Sequence, residues 1–171
     1  MTNATNLSEQ GKQAYQKGNY LAAAILFQQA AQACGDDALT AAEMMNNRSV
    51  ALLMGGKAEE SLEATEGTEQ VFAQTGDLKR QGMVIGNRAA ALEGLKKWDE
   101  ALAEYNRAAS IFEQGGEGDL HSMMRKAAAN IQLRRGRIND TALEIMDSLR
   151  LAEKPSLTQR VLKFFLRLKG F

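Results

Sequence analysis

The chain repeats itself at a spacing of 40 residues, and few folds are compatible with that constraint. Asn47-Arg48-Ser49-Val50-Ala51-Leu52 reappears as Asn87-Arg88-Ala89-Ala90-Ala91-Leu92. At the same offset Lys57-Ala58-Glu59-Glu60-Ser61-Leu62 falls on Lys97-Trp98-Asp99-Glu100-Ala101-Leu102, and Val71-Phe72-Ala73-Gln74 on Ile111-Phe112-Glu113-Gln114. Self-similarity at a fixed period of this size marks stacked supersecondary units, none of which buries its apolar face alone. A first unit joins at an offset of 38, so that Ala23, Ser61 and Ala101 align, then Phe27, Thr65 and Tyr105, then Ala30, Thr68 and Ala108. A more diverged fourth unit places Gly136-Arg137-Ile138 in the slot of Gly18-Asn19-Tyr20, followed by Thr141, Ile145 and Ser148.

Each unit reads as helix, tight turn, helix. Pro155 is the only proline, and an interior proline costs a helix about 3 kcal/mol, so residues 1–154 are free of the strongest helix breaker. Alanine is abundant, whereas β-branched and aromatic residues are sparse, which points to an all-α fold. Gly35, Gly76 and Gly115/Gly116 follow apolar-periodic runs, where a helix end wants a left-handed residue, and Asp36, Asp77 and Asp119 follow as N-cap candidates. Gly11, Ser49, Ala89 and Ala129 supply small residues where paired helices approach closely. Helices are expected over 5–17, 20–34, 37–54, 58–75, 77–94, 98–114, 119–135, 139–152 and 156–169.

These residues resemble tetratricopeptide (TPR) repeats. Gly11, Gly18, Tyr20, Ala23, Phe27 and Ala30 fill the family's slots for a small residue, a glycine turn, an aromatic, alanine, an aromatic and alanine; Ala89, Trp98, Ala101, Tyr105 and Ala108 do so again. The spacing resembles a variant with extended helices and Gly-Asp connections. The resemblance implies a right-handed α-solenoid of about four helix hairpins, with a groove lined mainly by the first helix of each. It assigns 1–154 to the repeat domain, in units of about 5–36, 37–76, 77–118 and 119–154, and leaves 155–171, whose own residues read as a C-terminal amphipathic capping helix.

Composition narrows the function classes. Twenty-one basic and twenty-one acidic residues cancel, so no global field recruits nucleic acid or anionic membrane. Met1 to Gln10 has no apolar core of a secretory signal, and no apolar run approaches the roughly 18 residues that cross a bilayer. The single Cys34 forbids an internal disulfide and fits a reducing, cytoplasmic location. His121 is the only histidine, too few nitrogen and sulfur ligands for a metal site, and the glycines punctuate helices instead of forming a phosphate loop. No cofactor, metal or small-molecule substrate is expected, and the chain reads as a non-enzyme: an adaptor, scaffold or assembly factor that holds a peptide or helix of another protein.

Family members that grip chaperone C-terminal carboxylates use Lys, Asn, Asn, Lys and Arg along the groove. The matching residues here are Ser8, Lys12, Asn47, Met83 and Asn87, of which Asn47 alone fits, so the resemblance does not carry that clamp over. The groove candidates are Lys12, Asn47, Met83, Asn87 and Met123, with Lys126 and Asn130 from the fourth unit. An amide matches both halves of a peptide bond, so Asn47 and Asn87 either hold a ligand backbone or tie neighbouring helices together. The methionines suit either an adaptable apolar groove or core filling.

The last segment differs. Pro155 and Ser156 with Gln159 make a helix start, and Leu157, Val161, Phe164 and Leu168 share one face. Leu162, Phe165 and Leu166 widen that face beyond one packing stripe, and the segment carries four basic residues and no acid. Capping the last repeat is its expected role; a peripheral membrane surface or self-association is the alternative.

Overall fold

The computed structural model describes the backbone from Asn3 to Leu151 and side chains as far as Gly136. It is all-helical, with no strand among the described residues: α1 (Asn3–Gln16), α2 (Tyr20–Gln32), α3 (Ala38–Met54), α4 (Ala58–Glu63), α5 (Thr68–Gln74), α6 (Leu78–Gly94), α7 (Trp98–Gln114) and α8 (Gly118–Leu151). The chain divides into two compact units, Met1–Ala128 and Ala129–Phe171, at a boundary inside α8. The expected capping helix over 155–171, with Leu162, Phe165 and Leu166, lies outside the described residues.

One way of ending a helix is used again and again. Lys57 N–H reaches back to the carbonyl of Leu52, Asp77 to Phe72, Lys97 to Leu92 and Glu117 to Phe112, at 2.8–3.0 Å. Asn19 does the same to Ala14. The residue before each is left-handed: Gly18, Gly56, Gly76, Lys96 and Gly116 all have positive φ. This six-to-one closure satisfies carbonyls that the helix end leaves without a partner. The same five residues then open the next helix, because the carbonyls of Asn19, Lys57, Asp77, Lys97 and Glu117 accept from the N–H four residues on, each at 2.9 Å. One residue therefore closes one helix and starts its neighbour, and consecutive helices fold back on each other.

Two of the connections add a side-chain cap. Asp37 accepts from Thr40 N–H at 3.0 Å and Asp77 from Arg80 N–H at 2.9 Å. The N-cap of α3 is thus Asp37 and not the expected Asp36, since Gly35 takes the left-handed turn and one further residue follows it. Thr40, through its hydroxyl and then its N–H, holds the Asp37 carboxyl below the usual range. Asp119, expected as a cap, sits in the first turn of α8.

The repeat is visible in what is buried. The pattern of burial over 51–60 recurs position for position over 91–100. The aligned slots Ala23/Ser61/Ala101, Phe27/Thr65/Tyr105 and Ala30/Thr68/Ala108 are all 5% exposed or less. Where the second unit puts hydroxyls in these slots, each finds a backbone acceptor: Ser61 Oγ donates to Ser49 O across the hairpin at 2.8 Å, Thr65 to Leu62 O and Thr68 to Thr65 O, both at 2.7 Å. A buried hydroxyl without such a partner costs about 1–3 kcal/mol.

Two expectations are corrected. The helix expected over 58–75 is broken between Glu63 and Thr68. Thr65 and Glu66 N–H turn to carbonyls three residues back, and Gly67 is left-handed with φ +72°. The hydroxyls of Thr65 and Thr68 compete for backbone in the same stretch, which favours a turn over a helix interior. The turn expected at Gly136–Ile138 does not form, and α8 runs through it as one helix of 34 residues. An interior glycine costs a helix only about 1 kcal/mol, and Gln132, Leu133, Arg134 and Arg135 before it are good helix formers. Gly136 is not left-handed, and Ala129, expected at a close helix approach, is exposed.

The broken second helix has a packing consequence. The first turn of α5 carries Glu69, 6% exposed, where α7 carries Ala109. Glu69 accepts from Arg88 of α6 at 2.7 Å and from Arg107 of α7, while Glu104 of α7 accepts from Arg88 at 2.8 Å. Two carboxylates and two guanidiniums thus join three helices. Burial pushes the Glu69 carboxyl up, but the bonds from Arg88 and Arg107 outweigh it and hold it below its usual value. Burial likewise opposes the Arg88 charge, and its bonds to Glu69 and Glu104 more than restore it.

Two predictions follow from these contacts. Lys96 is the one non-glycine at a left-handed turn among the described residues, so Lys96→Gly should raise stability by up to about 1 kcal/mol and Gly56→Ala lower it by about 1–2 kcal/mol, read from urea denaturation midpoints. Because the Glu69 carboxyl is depressed in the fold, its contribution is full above the unfolded value of about 4.3 and is lost as pH falls through the folded value. Glu69→Gln should therefore cost about 1–3 kcal/mol at pH 7, and the gap to wild type should shrink as pH falls below the unfolded carboxyl's value.

Candidate functional site

The first helices of the three hairpins, α1, α3 and α6, and the start of α8 each contribute one face to a shared cavity of about 660 Å³ within the compact unit Met1–Ala128. α1 supplies Lys12, Tyr15 and Gln16, and α3 supplies Asn46, Asn47 and Val50. α6 supplies Gly82, Met83, Gly86, Asn87 and Ala90, and the opening turns of α8 supply Leu120, Met123, Met124 and Ala127. These positions recur at three, four and seven residues, the spacing that puts side chains on one stripe of a helix. Only Phe27, Tyr105 and Phe112 reach the cavity from the second helices. The volume is in the range of ligand sites, and the wall has their composition, mostly apolar with a few placed polar groups.

Five sequence candidates, Lys12, Asn47, Met83, Asn87 and Met123, line this one cavity. Met83 and Met123 are 39% and 52% exposed. They are not core filling. Lys12 is half-exposed and pairs with Glu9 at 2.8 Å, three residues away on the same helix. The two asparagines part company. Asn87 donates from Nδ2 to Oδ1 of Asn46 at 2.7 Å, which ties α6 to α3. Asn47 is half-buried, and no side-chain hydrogen bond engages it among the described residues.

Lys126 and Asn130 are not on the wall. Lys126 is exposed, roughly 110° around α8 from the stripe of Leu120, Met123, Met124 and Ala127 at 100° per residue. Asn130 is exposed and falls in the compact unit Ala129–Phe171, not in the one that holds the cavity.

The aromatic floor and the glycines of α6 were missed by sequence reasoning. A Cβ on Gly82 would lie 2.7 Å from Phe112 Cε1, and one on Gly86 would lie 3.0 Å from Met124 Sδ. The two glycines let the phenyl ring and the thioether rest on the α6 backbone. The signal was present: two glycines four apart inside a helix each cost about 1 kcal/mol and ask for a packing reason. Tyr105, 5% exposed, donates its hydroxyl to Glu93 Oε2 at 2.9 Å. Burial first, then Glu93, pushes that phenol well above its usual value, so it acts here as a neutral donor.

Nucleophile and base candidates are held elsewhere. Cys34 Sγ lies 3.2 Å from Ala30 O, and burial together with Asp37 raises the thiol, which keeps it protonated. His121 Nδ1 lies 2.9 Å from Ala109 O, joining α8 to α7. Among the described residues no group of three or more His, Cys, Asp or Glu gathers to hold a metal, and no helix is long and apolar enough to cross a membrane. No protein-family model matches the chain, and neither does any curated protein.

The asparagines separate structural from free amides in a stability assay. Asn46→Ala should cost about 1–3 kcal/mol, because it strands Asn87 at a partly buried contact, whereas Asn47→Ala should stay within about 0.5 kcal/mol of wild type. Gly82→Ala should cost about 1–3 kcal/mol by forcing Phe112 off the α6 backbone.

Proposed function

We propose that this chain is a TPR-type α-solenoid module that binds a segment of another protein in the cavity between its first helices, as an adaptor or assembly factor. The observation that carries the reading is the exposure of Met83 and Met123 on a wall that also holds an amide, Asn47, with no partner among the described side chains. Exposed thioethers on a concave wall gain from covering, and a flexible one adapts to the shape of what covers it. A half-buried amide with spare donors and an acceptor suits a peptide group. The alignment of buried slots across units, with α3 packed on α6, supports the solenoid arrangement.

A binding role suits the site better than a catalytic one, since the Cys34 thiol and the His121 ring both engage backbone carbonyls. A single cysteine cannot form an internal disulfide, which fits a reducing compartment, and a cytoplasmic location is part of the proposal.

Capture experiments in the native cell with wild type and a Met83→Glu/Met123→Glu variant test the reading. Both side chains are substantially exposed, so the variant should keep its helical circular dichroism and lose at least about tenfold of the recovered partner. Equal recovery of every partner by a folded variant would sink the proposal.

A further inference from the structure

The cavity is chemically graded from one side to the other. At α1 it presents Lys12, the one charged side chain on its wall among the described residues, beside the phenol of Tyr15 and the amide of Gln16. At α8 the wall is Leu120, Met123, Met124 and Ala127, none of which carries a polar side-chain donor. The amides of Asn46, Asn47 and Asn87 belong to α3 and α6, which pack on each other, and Met124 seats α8 on α6 at Gly86. A ligand that matches this wall is itself polar at one end and apolar at the other.

The charge at the α1 side is available. Lys12 pairs with Glu9, but both side chains are about half-exposed, at 52% and 53%, and sit three residues apart on one helix. Glu9 is not on the cavity wall. Such a pair is weak in water and screened by salt, so a carboxylate held in the cavity competes with it effectively.

The geometry points to an extended polypeptide segment that carries an aspartate or glutamate side chain at Lys12 and large flexible apolar side chains against Met83 and Met123. This rests on the proposed peptide-binding reading and adds to it the polarity and composition of the segment. Charge complementarity fixes the acidic end, because among the described residues the wall offers a cation and no carboxylate. The amide of Asn47, without a partner among the described side chains, favours a peptide over a plain amphiphile, since it offers a donor and an acceptor together.

Selection of phage-displayed random peptides on the full chain tests this, followed by anisotropy titrations of synthetic winners with both termini blocked. Winners should combine two or more of Leu, Met, Phe or Ile with an Asp or Glu toward one end. Exchanging that acid for Lys should weaken binding about tenfold on wild type and restore it on Lys12→Glu, and the wild-type affinity should fall as salt rises. Winners that lose affinity on Met83→Glu, yet respond to neither the acid nor Lys12→Glu, would overturn the polarity and leave the groove reading standing. Winners indifferent to Met83→Glu, or no winners at all, would overturn the groove reading and the polarity with it. Circular dichroism of Lys12→Glu and Met83→Glu, both at exposed positions, confirms that each variant is folded before it is compared.

Discussion

A helix that ends must do something with its last carbonyls, and in this chain the answer also sets the direction of everything that follows. The N–H of Lys57, Asp77, Lys97 or Glu117 reaches back five residues, and its own carbonyl accepts the first bond of the next helix. With a left-handed residue just before it, the whole reversal takes three residues or so, too few for the two helices to separate. Between Gly56 and Gly116 these left-handed positions recur every 20 residues, so the 40-residue repeat is two copies of one termination. Hairpin packing, the shared burial pattern and the alignment of first helices along one cavity all descend from that backbone geometry.

Within that frame the units are not equivalent, and the differences are where side chains take over. Unit two fills aromatic and alanine slots with Thr65, Ser61 and Thr68, and loses helical continuity at Gly67. The loss moves a carboxylate, Glu69, into a place where Arg88 and Arg107 converge on it. A buried charge of this kind is a weak source of net stability, but it fixes one mutual arrangement of α5, α6 and α7, because any other leaves a desolvated charge unpaired. Local weakness in one helix is thereby converted into a specific contact among three.

Much of this was legible in the sequence, for reasons that differ from element to element. Apolar periodicity and glycine placement located α1, α2, α3, α6 and α7 to within a few residues, since a 3.6-residue stripe is a strong signal and a left-handed turn nearly demands glycine. Lys96 shows the limit of that rule: the turn is set by its hydrogen bonds, and a lysine tolerates it. Gly136 shows the converse, a glycine in the aligned slot that an otherwise helix-forming stretch simply runs through. Position in an alignment identified Asn47 and Asn87 as a pair, yet only the side-chain geometry separates them, because nothing in sequence says that Asn46 stands within 2.7 Å of one and not the other. The floor of the cavity was hidden for a similar reason. Phe112 and Met124 matter through their approach to Gly82 and Gly86, far apart in the chain.

The same glycines explain why a cavity exists here at all. Close-packed helices ordinarily leave few voids larger than a water molecule, and side chains on α6 would be expected to fill the space between α3 and α8. Gly82 and Gly86 withdraw two of them, and Phe112 and Met124 settle onto the exposed backbone, which leaves the space beyond them open to Met83 and Asn47. Each glycine lowers helix propensity by about 1 kcal/mol, and each exposed methionine forgoes part of the roughly 1.5–3 kcal/mol its burial would bring. A fold that gives up stability at Gly82, Met83 and Gly86 of α6 and again at Met123 of α8 departs locally from what packing alone selects. Such departures are expected at functional sites, and here they converge on the surface to which we assign the proposed binding role, where an apolar floor and the Asn47 amide lie together.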